Sequence, residues 1–402
     1  MALSGLCLGL VAGACGGGTS GQGQIVQPNL PQVVDLGGTF LAAPKVLPIL
    51  YSSDGGGSDI LAFLQELTTT SYWGQATSEY GVGQLTVLPP ITITDAPPQT
   101  ITDAMLQANL AANTSGANPA WGAPDPKTIY LFVLPPGTIE QDDEGACCTD
   151  YDGYHYEADV DTGSSTVTVP YALSCACHNF DGPSVTDLQE RTVDMSHELI
   201  ESATDPFPDS DPAYAQEDGA DIVWTFVTDG EVADMCEFND DANVIPPGST
   251  YMVQRSWSNA AAGRFENPCV PVVTSTPYFN SFPQLESINY DYGTGSLTTQ
   301  GIRIPLGQSK TIDVALLSAG AVGGPWTVAA YDYDDAIVGS AAGSTLRQDA
   351  SSGSSGDTVH LTITPTTPDS VLGAEAFIIW SDYGNPGDAD FESQLTMGLV
   401  TN

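Results

Sequence analysis

The chain has 402 residues, 41% of them hydrophobic, which allows two or three domains with substantial cores. It carries 8 Lys and Arg against 50 Asp and Glu, a formal net charge of −42. This charge excludes nucleic acid and anionic membrane surfaces as partners, because both repel a strongly acidic protein. The carboxylates are expected to keep the protein soluble, and they can also collect calcium.

Residues 1–15 form an apolar run of small side chains that ends at a cysteine. The ending Ala-Gly-Ala-Cys15 is similar to a bacterial lipobox, which predicts a lipoprotein signal peptide and lipidation of Cys15. The basic residues that usually open such a signal are missing, so a plain secretory signal is the alternative. Because the run is too short to span a bilayer, membrane attachment is expected only through the lipid anchor. The predicted location is extracytoplasmic, as a cell-surface or outer-membrane lipoprotein or as a secreted protein.

Six further cysteines are present: Cys147, Cys148, Cys175, Cys177, Cys236 and Cys269. An even number in an exported chain predicts three disulfides. Many pairings are possible. We expect the pair at 147 and 148 to bond with the pair at 175 and 177, and the last two cysteines to bond with each other. The alternative for Cys175-Ala-Cys177-His178 is a metal site, which lacks a second matching cysteine pair.

The segment 16–44 is rich in Gly, Gln and Pro and is predicted to be a flexible tether. From residue 45 onward, predicted strands and helices interleave. The strands are predicted at 45–51, 83–88, 128–134 and 165–171, and the helices at 59–67, 103–112 and 186–204. The last strand contains a proline and is expected at a sheet edge. This order predicts an α/β or α+β domain over residues 45–273.

The helix predicted over 186–204 carries the main chemical signal. His197 and Glu201 are four residues apart and therefore lie on one face, with Glu198 beside them. The spacing H-E-x-x-E matches the H-E-x-x-H helix of zincin peptidases, with glutamate as the second ligand. In such a helix the first and last residues bind zinc and the second is the general base. The alternative is an ordinary solvated face of an acidic helix.

A site of this kind needs a third protein ligand from a separate element. The segment Gly230-Glu-Val-Ala-Asp-Met-Cys-Glu237 follows the helix and offers Glu231 and Asp234, one turn apart. Either can be the third ligand, and a solvated acidic loop is the alternative. Zinc is the predicted cofactor, although the extra carboxylate favours a harder metal. Calcium is a second candidate.

The order of these motifs resembles the plant EXORDIUM or phosphate-induced proteins and their bacterial secreted relatives. The matching stretches are HELIESATDP at 197–206, GEVADMCE at 230–237, Trp-Ser-Asn at 257–259 and a closing cysteine. Upstream, Cys147-Cys148, Tyr154-His155, Val169-Pro-Tyr171 and Cys175 also fit, although that family spaces its first cysteines apart. The resemblance covers about residues 45–270.

The resemblance implies an extracellular protein with a zincin-like core, in a family whose plant members are linked to growth signalling. It implies metal binding by His197 and Glu201 together with Glu231 or Asp234, and it supports Glu198 as the general base. His155 is an additional polar candidate at the site, and the alternative is a structural histidine.

Beyond residue 273 the helix signals fade, and short apolar runs recur between Gly, Ser and Asp turns. This pattern predicts a linker over 274–290 and an immunoglobulin-like β-sandwich over 291–402, which would position or anchor the first domain. The predicted fold class is therefore an α/β (α+β) zincin-like domain followed by an all-β immunoglobulin-like sandwich. An acidic turn at 331–335 is a candidate calcium site, with an ordinary surface turn as the alternative.

Together these features predict an exported metal-dependent hydrolase, a zinc metallopeptidase that acts on a peptide or a cell-surface protein. One alternative is a non-catalytic extracellular surface or signalling protein with a structural metal site. Another is a calcium-binding adhesin. A structural site is closed by four protein ligands, whereas a catalytic site keeps one position open.

Overall fold

The computed structural model describes residues 28–402 except 117, 143–144, 181, 217–218, 292–294 and 369–373. The predicted signal peptide and Cys15 lie outside the described residues. The helices are α1 Gly57–Leu67, α2 Tyr72–Thr77, α3 Asp103–Thr114, α4 Asp187–Thr204, α5 Val223–Thr228, α6 Asp234–Glu237 and α7 Asn259–Ala262, with 3-10 turns at Ser78–Tyr80 and Gly219–Asp221 and a π turn at Asp334–Val338. None of the helices in this part of the chain has both the length and the apolar character that crossing a bilayer requires.

The strands fall into two groups along the chain. The first fourteen are β1 Val34–Asp35, β2 Lys45–Tyr51, β3 Thr86–Val87, β4 Ile91–Ile93, β5 Thr100–Ile101, β6 Thr128–Val133, β7 Ile139–Glu140, β8 Gly153–Asp161, β9 Thr166–Ser174, β10 Tyr214–Ala215, β11 Asn243–Val244, β12 Val253–Gln254, β13 Ser256–Trp257 and β14 Cys269–Val270. The other ten are β15 Phe279–Pro283, β16 Glu286–Asp291, β17 Ser296–Arg303, β18 Lys310–Ser318, β19 Trp326–Asp332, β20 Ser344–Gln348, β21 Ser352–Gly353, β22 Thr358–Pro365, β23 Glu375–Tyr383 and β24 Glu392–Thr401.

A six-stranded mixed sheet supports the site. Its order is β3-β2-β6-β9-β8, and β4 also pairs with β2. Strands β2 and β6 are almost entirely buried and pair in parallel, as expected for near-continuous apolar runs. The sheet ends in β8, which is antiparallel to β9. Helix α4 packs on β8 and β9.

The position of one predicted strand is different in the structure. Strand β9 was expected at the sheet edge but lies between β6 and β8, and the edge strand is β8. Strand β6 pairs with β9 only from Tyr171 onward, so Pro170 lies in the half of β9 that has one neighbour. The proline is tolerated there because no second ladder needs its missing N–H.

The predicted fold class is wrong. The chain is mostly β, with 35% strand and 20% helix, and no clear α/β zincin domain is present in the described ranges. Within the described residues the strands form seven sheets, four of them with only two strands. Between α4 and the second half the chain forms short helices and two-residue strands rather than long elements. The second half has a four-stranded and a six-stranded sheet, and its β17–β24 pair is parallel, unlike an antiparallel immunoglobulin sandwich.

Two segments that were predicted to be linkers contain packed structure. In the predicted tether, Leu30, Val33 and Leu41 are buried in the core, and β1 pairs with β10. The described part of that segment, 28–44, is therefore not a free tether. In the predicted linker 274–290, β15 pairs with β18. Buried apolar side chains explain both differences, because they stabilise segments whose composition resembles a linker.

The two halves share one hydrophobic core. Buried residues of the first half, such as Leu199, belong to the same cluster as Ile378 and Met397 of the second half. The Trp380 indole N–H donates to the Phe238 carbonyl at 2.8 Å. The halves are therefore joined by packing and by hydrogen bonds.

Three disulfides join Cys147 to Cys175, Cys148 to Cys177, and Cys236 to Cys269. The predicted pairing is confirmed, and with these bonds the Cys-Ala-Cys-His metal site is excluded. The last disulfide ties the end of α6 to β14. Three disulfides in one chain are typical of proteins from extracytoplasmic compartments.

Candidate metal centre

Helix α4 begins and ends where its sequence predicts. The Thr186 side chain accepts a hydrogen bond from the backbone N–H of Gln189. The Gln189 side chain in turn accepts one from the backbone N–H of Thr186, which completes a capping box. Asp205, before Pro206, ends the helix. The acidic face of this helix is not solvated, because Glu198 is 6% exposed and Glu201 is 2% exposed. A buried carboxylate needs a partner, so the solvated-face interpretation is wrong.

Three side chains from two elements converge on one point. The His197 Nε2 atom lies 2.9 Å from Glu201 Oε2 on the same helix and 3.2 Å from Asp234 Oδ1 at the start of α6. His197 is partly buried, and both carboxylates are buried. The segment 230–237 therefore reaches the helix as the motif spacing predicts, and Asp234 is the acid that faces His197.

Backbone amides hold the second oxygen of each carboxylate. Glu201 Oε1 accepts from the N–H of Ala233 at 3.0 Å and of Asp234 at 3.1 Å. Asp234 Oδ2 accepts from the N–H of Glu231 at 3.0 Å. Each carboxylate is thus fixed by one oxygen and presents the other to His197.

Gln254 on β12 fixes the ring of His197. Its amide N–H donates to the Ala233 carbonyl at 3.0 Å, which places its carbonyl oxygen 3.0 Å from His197 Nδ1. Since that oxygen only accepts, Nδ1 carries the proton and Nε2 faces the two carboxylates. Metal-binding histidines are held by their second nitrogen in this way. The sequence motifs do not point to Gln254, because a lone glutamine in a two-residue strand gives no sequence signal.

His155 faces the same cavity from the edge strand β8. Its ring nitrogens lie 3.6 Å from Glu198 Oε2, 3.7 Å from Glu201 Oε2 and 3.5 Å from Glu231 Oε1. Strand β8 was not predicted, although Gly-Tyr-His-Tyr-Glu-Ala-Asp-Val-Asp at 153–161 alternates polar and apolar residues. Gly153 allows the close approach of α4, because a Cβ there would lie 2.0 Å from an Asp194 oxygen.

The cavity is strongly acidic. Burial raises the pKa of Asp234 to about 7 and that of Glu237 to about 8, and it raises the pKa of Glu231 well above its ordinary value. Burial alone would lower the pKa of both histidines. The surrounding carboxylates outweigh burial, so the pKa of His155 rises to about 10 and that of His197 lies well above its ordinary value. The cavity therefore favours bound positive charge.

The donor set fits a divalent cation. With bonds of roughly 2.0–2.2 Å, two ligands of one zinc ion lie about 3.0–3.5 Å apart. The separations of His197 from Glu201 and Asp234 are close to this range. One imidazole and two carboxylates suit zinc or a harder divalent metal.

The centre is open on one side. It lines a cavity of about 370 Å³ that also contains Glu198 and His155. The described residues form two groups of His and carboxylate donors, and each group has three members. Neither group supplies the four protein ligands that close a structural zinc site.

The candidate calcium site at the turn 331–335 does not bring metal-binding side chains together in the described residues. Around the acidic turn 331–335, no group of three metal-binding side chains forms within the described part of the chain. Asp332 instead accepts from the backbone N–H of Gly343 at 3.2 Å and Ser344 at 2.7 Å. It therefore holds a turn together.

No protein-family model matches this chain, and no curated protein sequence matches it either. Among solved structures, domains 4 and 5 of the S-layer protein SbsC are 13% identical, with 37% of this chain and 80% of that chain covered and a TM-score of 0.18. A structure of SbsC domains 1–6 is 12% identical, with 40% of this chain and 25% of that chain covered and a TM-score of 0.18. These scores are too low to carry an argument about fold or function.

Proposed function

We propose that this chain is an exported metal-dependent hydrolase of the metallopeptidase type, with peptides or cell-surface proteins as substrates. The convergence of His197, Glu201 and Asp234 beside Glu198, at the wall of an open cavity, carries the proposal. The three disulfides support an extracytoplasmic location. The EXORDIUM-like order of motifs supports the same residues.

The side chains divide the chemical work between them. His197, Glu201 and Asp234 hold the metal, and their backbone and Gln254 contacts keep the donor atoms in place. A divalent metal bound there supplies Lewis-acid polarisation of a scissile carbonyl and of a water molecule. Glu198 takes the proton from the attacking water and passes it to the leaving amine. In this assignment Glu231 is not a ligand of the metal at His197, since it faces His155.

The proposal is tested with the full chain, loaded with zinc and supplied with a fluorogenic peptide library. Glu198→Gln is expected to keep the metal and to lose about 10²–10⁴-fold in cleavage rate, the usual contribution of a general base. His197→Ala is expected to lose both the metal and the activity.

Two exposed residues of the second half provide matched controls. Glu286 pairs with Lys310, and His360 pairs with Asp349 and Asp313, all on the surface. Glu286→Gln and His360→Ala should therefore leave cleavage unchanged. If Glu198→Gln cleaves as fast as wild type, the chain is not this enzyme. If the wild type binds zinc tightly and cleaves nothing, the structural-metal alternative replaces the proposal.

A further inference from the structure

A second group of metal-binding side chains shares Glu201 with the first. The donor atoms of His155, Glu201 and Glu231 lie within 4.8 Å of one another. Glu201 Oε2 lies 2.9 Å from His197 Nε2 on one side and 3.7 Å from His155 Nδ1 on the other. The same carboxylate oxygen therefore lies between the two histidines, while the other oxygen is held by backbone amides.

The imidazole of His155 is surrounded by one backbone carbonyl and three carboxylates, which in their ionised form can only accept hydrogen bonds. Its Nε2 lies 3.1 Å from the Asp205 carbonyl and 3.5 Å from Glu231 Oε1. Its Nδ1 lies 3.6 Å from Glu198 Oε2 and 3.7 Å from Glu201 Oε2, both beyond hydrogen-bond length. The side chain is 4% exposed, so water does not replace these partners freely. One ring nitrogen can therefore bind a cation while the other donates its proton to a neighbouring oxygen.

The charge of the cavity gives an independent reason for a second cation. Nine of its lining side chains are carboxylates, two are histidines, and none is lysine or arginine. A single divalent ion at His197 would add only two positive charges to this set. Buried carboxylates are stable only when they are paired, protonated or bound to metal.

We propose that the cavity binds two divalent cations bridged by Glu201, one at His197 and Asp234 and the other at His155 and Glu231. This inference rests on the proposed metal site and makes it a two-metal hydrolytic centre, in which ions typically lie about 3.5–4 Å apart. Such a pair of ions would supply Lewis-acid polarisation of the substrate carbonyl and of a water, and Glu198, 3.6 Å from His155, would accept the proton of that water.

Metal stoichiometry tests the inference without using activity. The full chain is stripped with a chelator, equilibrated with Zn²⁺ alone, and analysed by inductively coupled plasma mass spectrometry. We expect two zinc ions per wild-type chain and one in His155→Ala. The control His360→Ala should retain two. One zinc ion in the wild type, or two retained in His155→Ala, would overturn the inference.

Electron paramagnetic resonance of the wild type loaded with Mn²⁺ gives a test that needs no variant. Two ions sharing one carboxylate should show a spin-coupled signal, whereas independent ions give the six-line spectrum of isolated Mn²⁺. An uncoupled spectrum at full loading contradicts the bridge. If one zinc ion binds and cleavage depends on Glu198, the second site is wrong and the proposed function is retained. If no zinc binds, both proposals are wrong.

Discussion

At the scale of single residues, Gln254 connects the face of α4 that carries His197 to the segment that carries Asp234. Its amide contacts both His197 Nδ1 and the Ala233 carbonyl, and its backbone N–H donates to Ser196 Oγ at 2.9 Å. These bonds fix the tautomer and the orientation of the imidazole. Gln254 is therefore a positioning residue for His197 in the proposed metal centre.

Replacing Gln254 with leucine is expected to weaken zinc binding by about 10–100-fold, the usual effect of removing such a partner. The ring of His197 would then be free to rotate and to change tautomer. Competition with a zinc-chelating dye measures the effect. The same change at exposed Gln308 is the control and should leave the affinity unchanged. Equal affinities in both variants would contradict the role of Gln254.

At the scale of elements, α4 and the segment 230–237 bring several buried carboxyl groups close together. Burial raises the pKa of Asp234 to about 7 and of Glu237 to about 8, so the folded state holds protons that the unfolded state releases near pH 4. The raised pKa of His155, about 10, acts in the same direction, because its stabilisation is lost as pH rises through that value. Glu201 acts oppositely: its pKa is lowered, because His197 outweighs burial.

The metal-free protein is therefore expected to be more stable at pH 5.5 than at pH 8. Between these values the native state binds more protons than the unfolded state, so the free energy of unfolding falls as pH rises. Urea midpoints in the presence of a chelator measure this trend. When zinc is bound the ligands lose their protons, so the decrease in the free energy of unfolding with rising pH should become smaller or reverse. A chelated protein that is more stable at pH 8 would contradict the assignment of buried, proton-holding acids.

At the scale of the whole molecule, the shared core predicts that the two halves unfold as one cooperative unit. Met397 of β24 is 3% exposed and belongs to the cluster that contains Leu199 of α4. Loss of packing in the second half should therefore destabilise the candidate metal centre in the first half. This link explains why the second half can support the site without contributing a ligand to either donor group.

We expect calorimetry of the full chain to show a single unfolding transition. Met397→Ala should destabilise it by about 2–5 kcal/mol, the usual cost of a large-to-small change in a core, and the transition should remain single. Met105→Ala is the matched control, because Met105 is 46% exposed and should cost little. Two separate transitions, with only the second shifted by Met397→Ala, would show that the halves unfold independently.

The sequence by itself determined the local features. Apolar runs located β2 and β6, capping residues and a proline located α4, and spacing put His197 beside Glu201. These are properties of neighbouring residues, set by backbone sterics and by helix periodicity. The sequence also predicted that the cysteines at 147 and 148 bond with those at 175 and 177, while the structure decided that Cys147 bonds to Cys175 and Cys148 to Cys177.

Only the tertiary structure decided what depends on distant contacts. It selected Asp234 over Glu231 beside His197, brought His155 in from an edge strand, and added Gln254. It also replaced the expected fold class with a mostly β chain in many small sheets. The physical reason is that side chains far apart in sequence meet only through packing, and burial then makes their charges interact strongly. Local sequence patterns do not predict these long-range contacts.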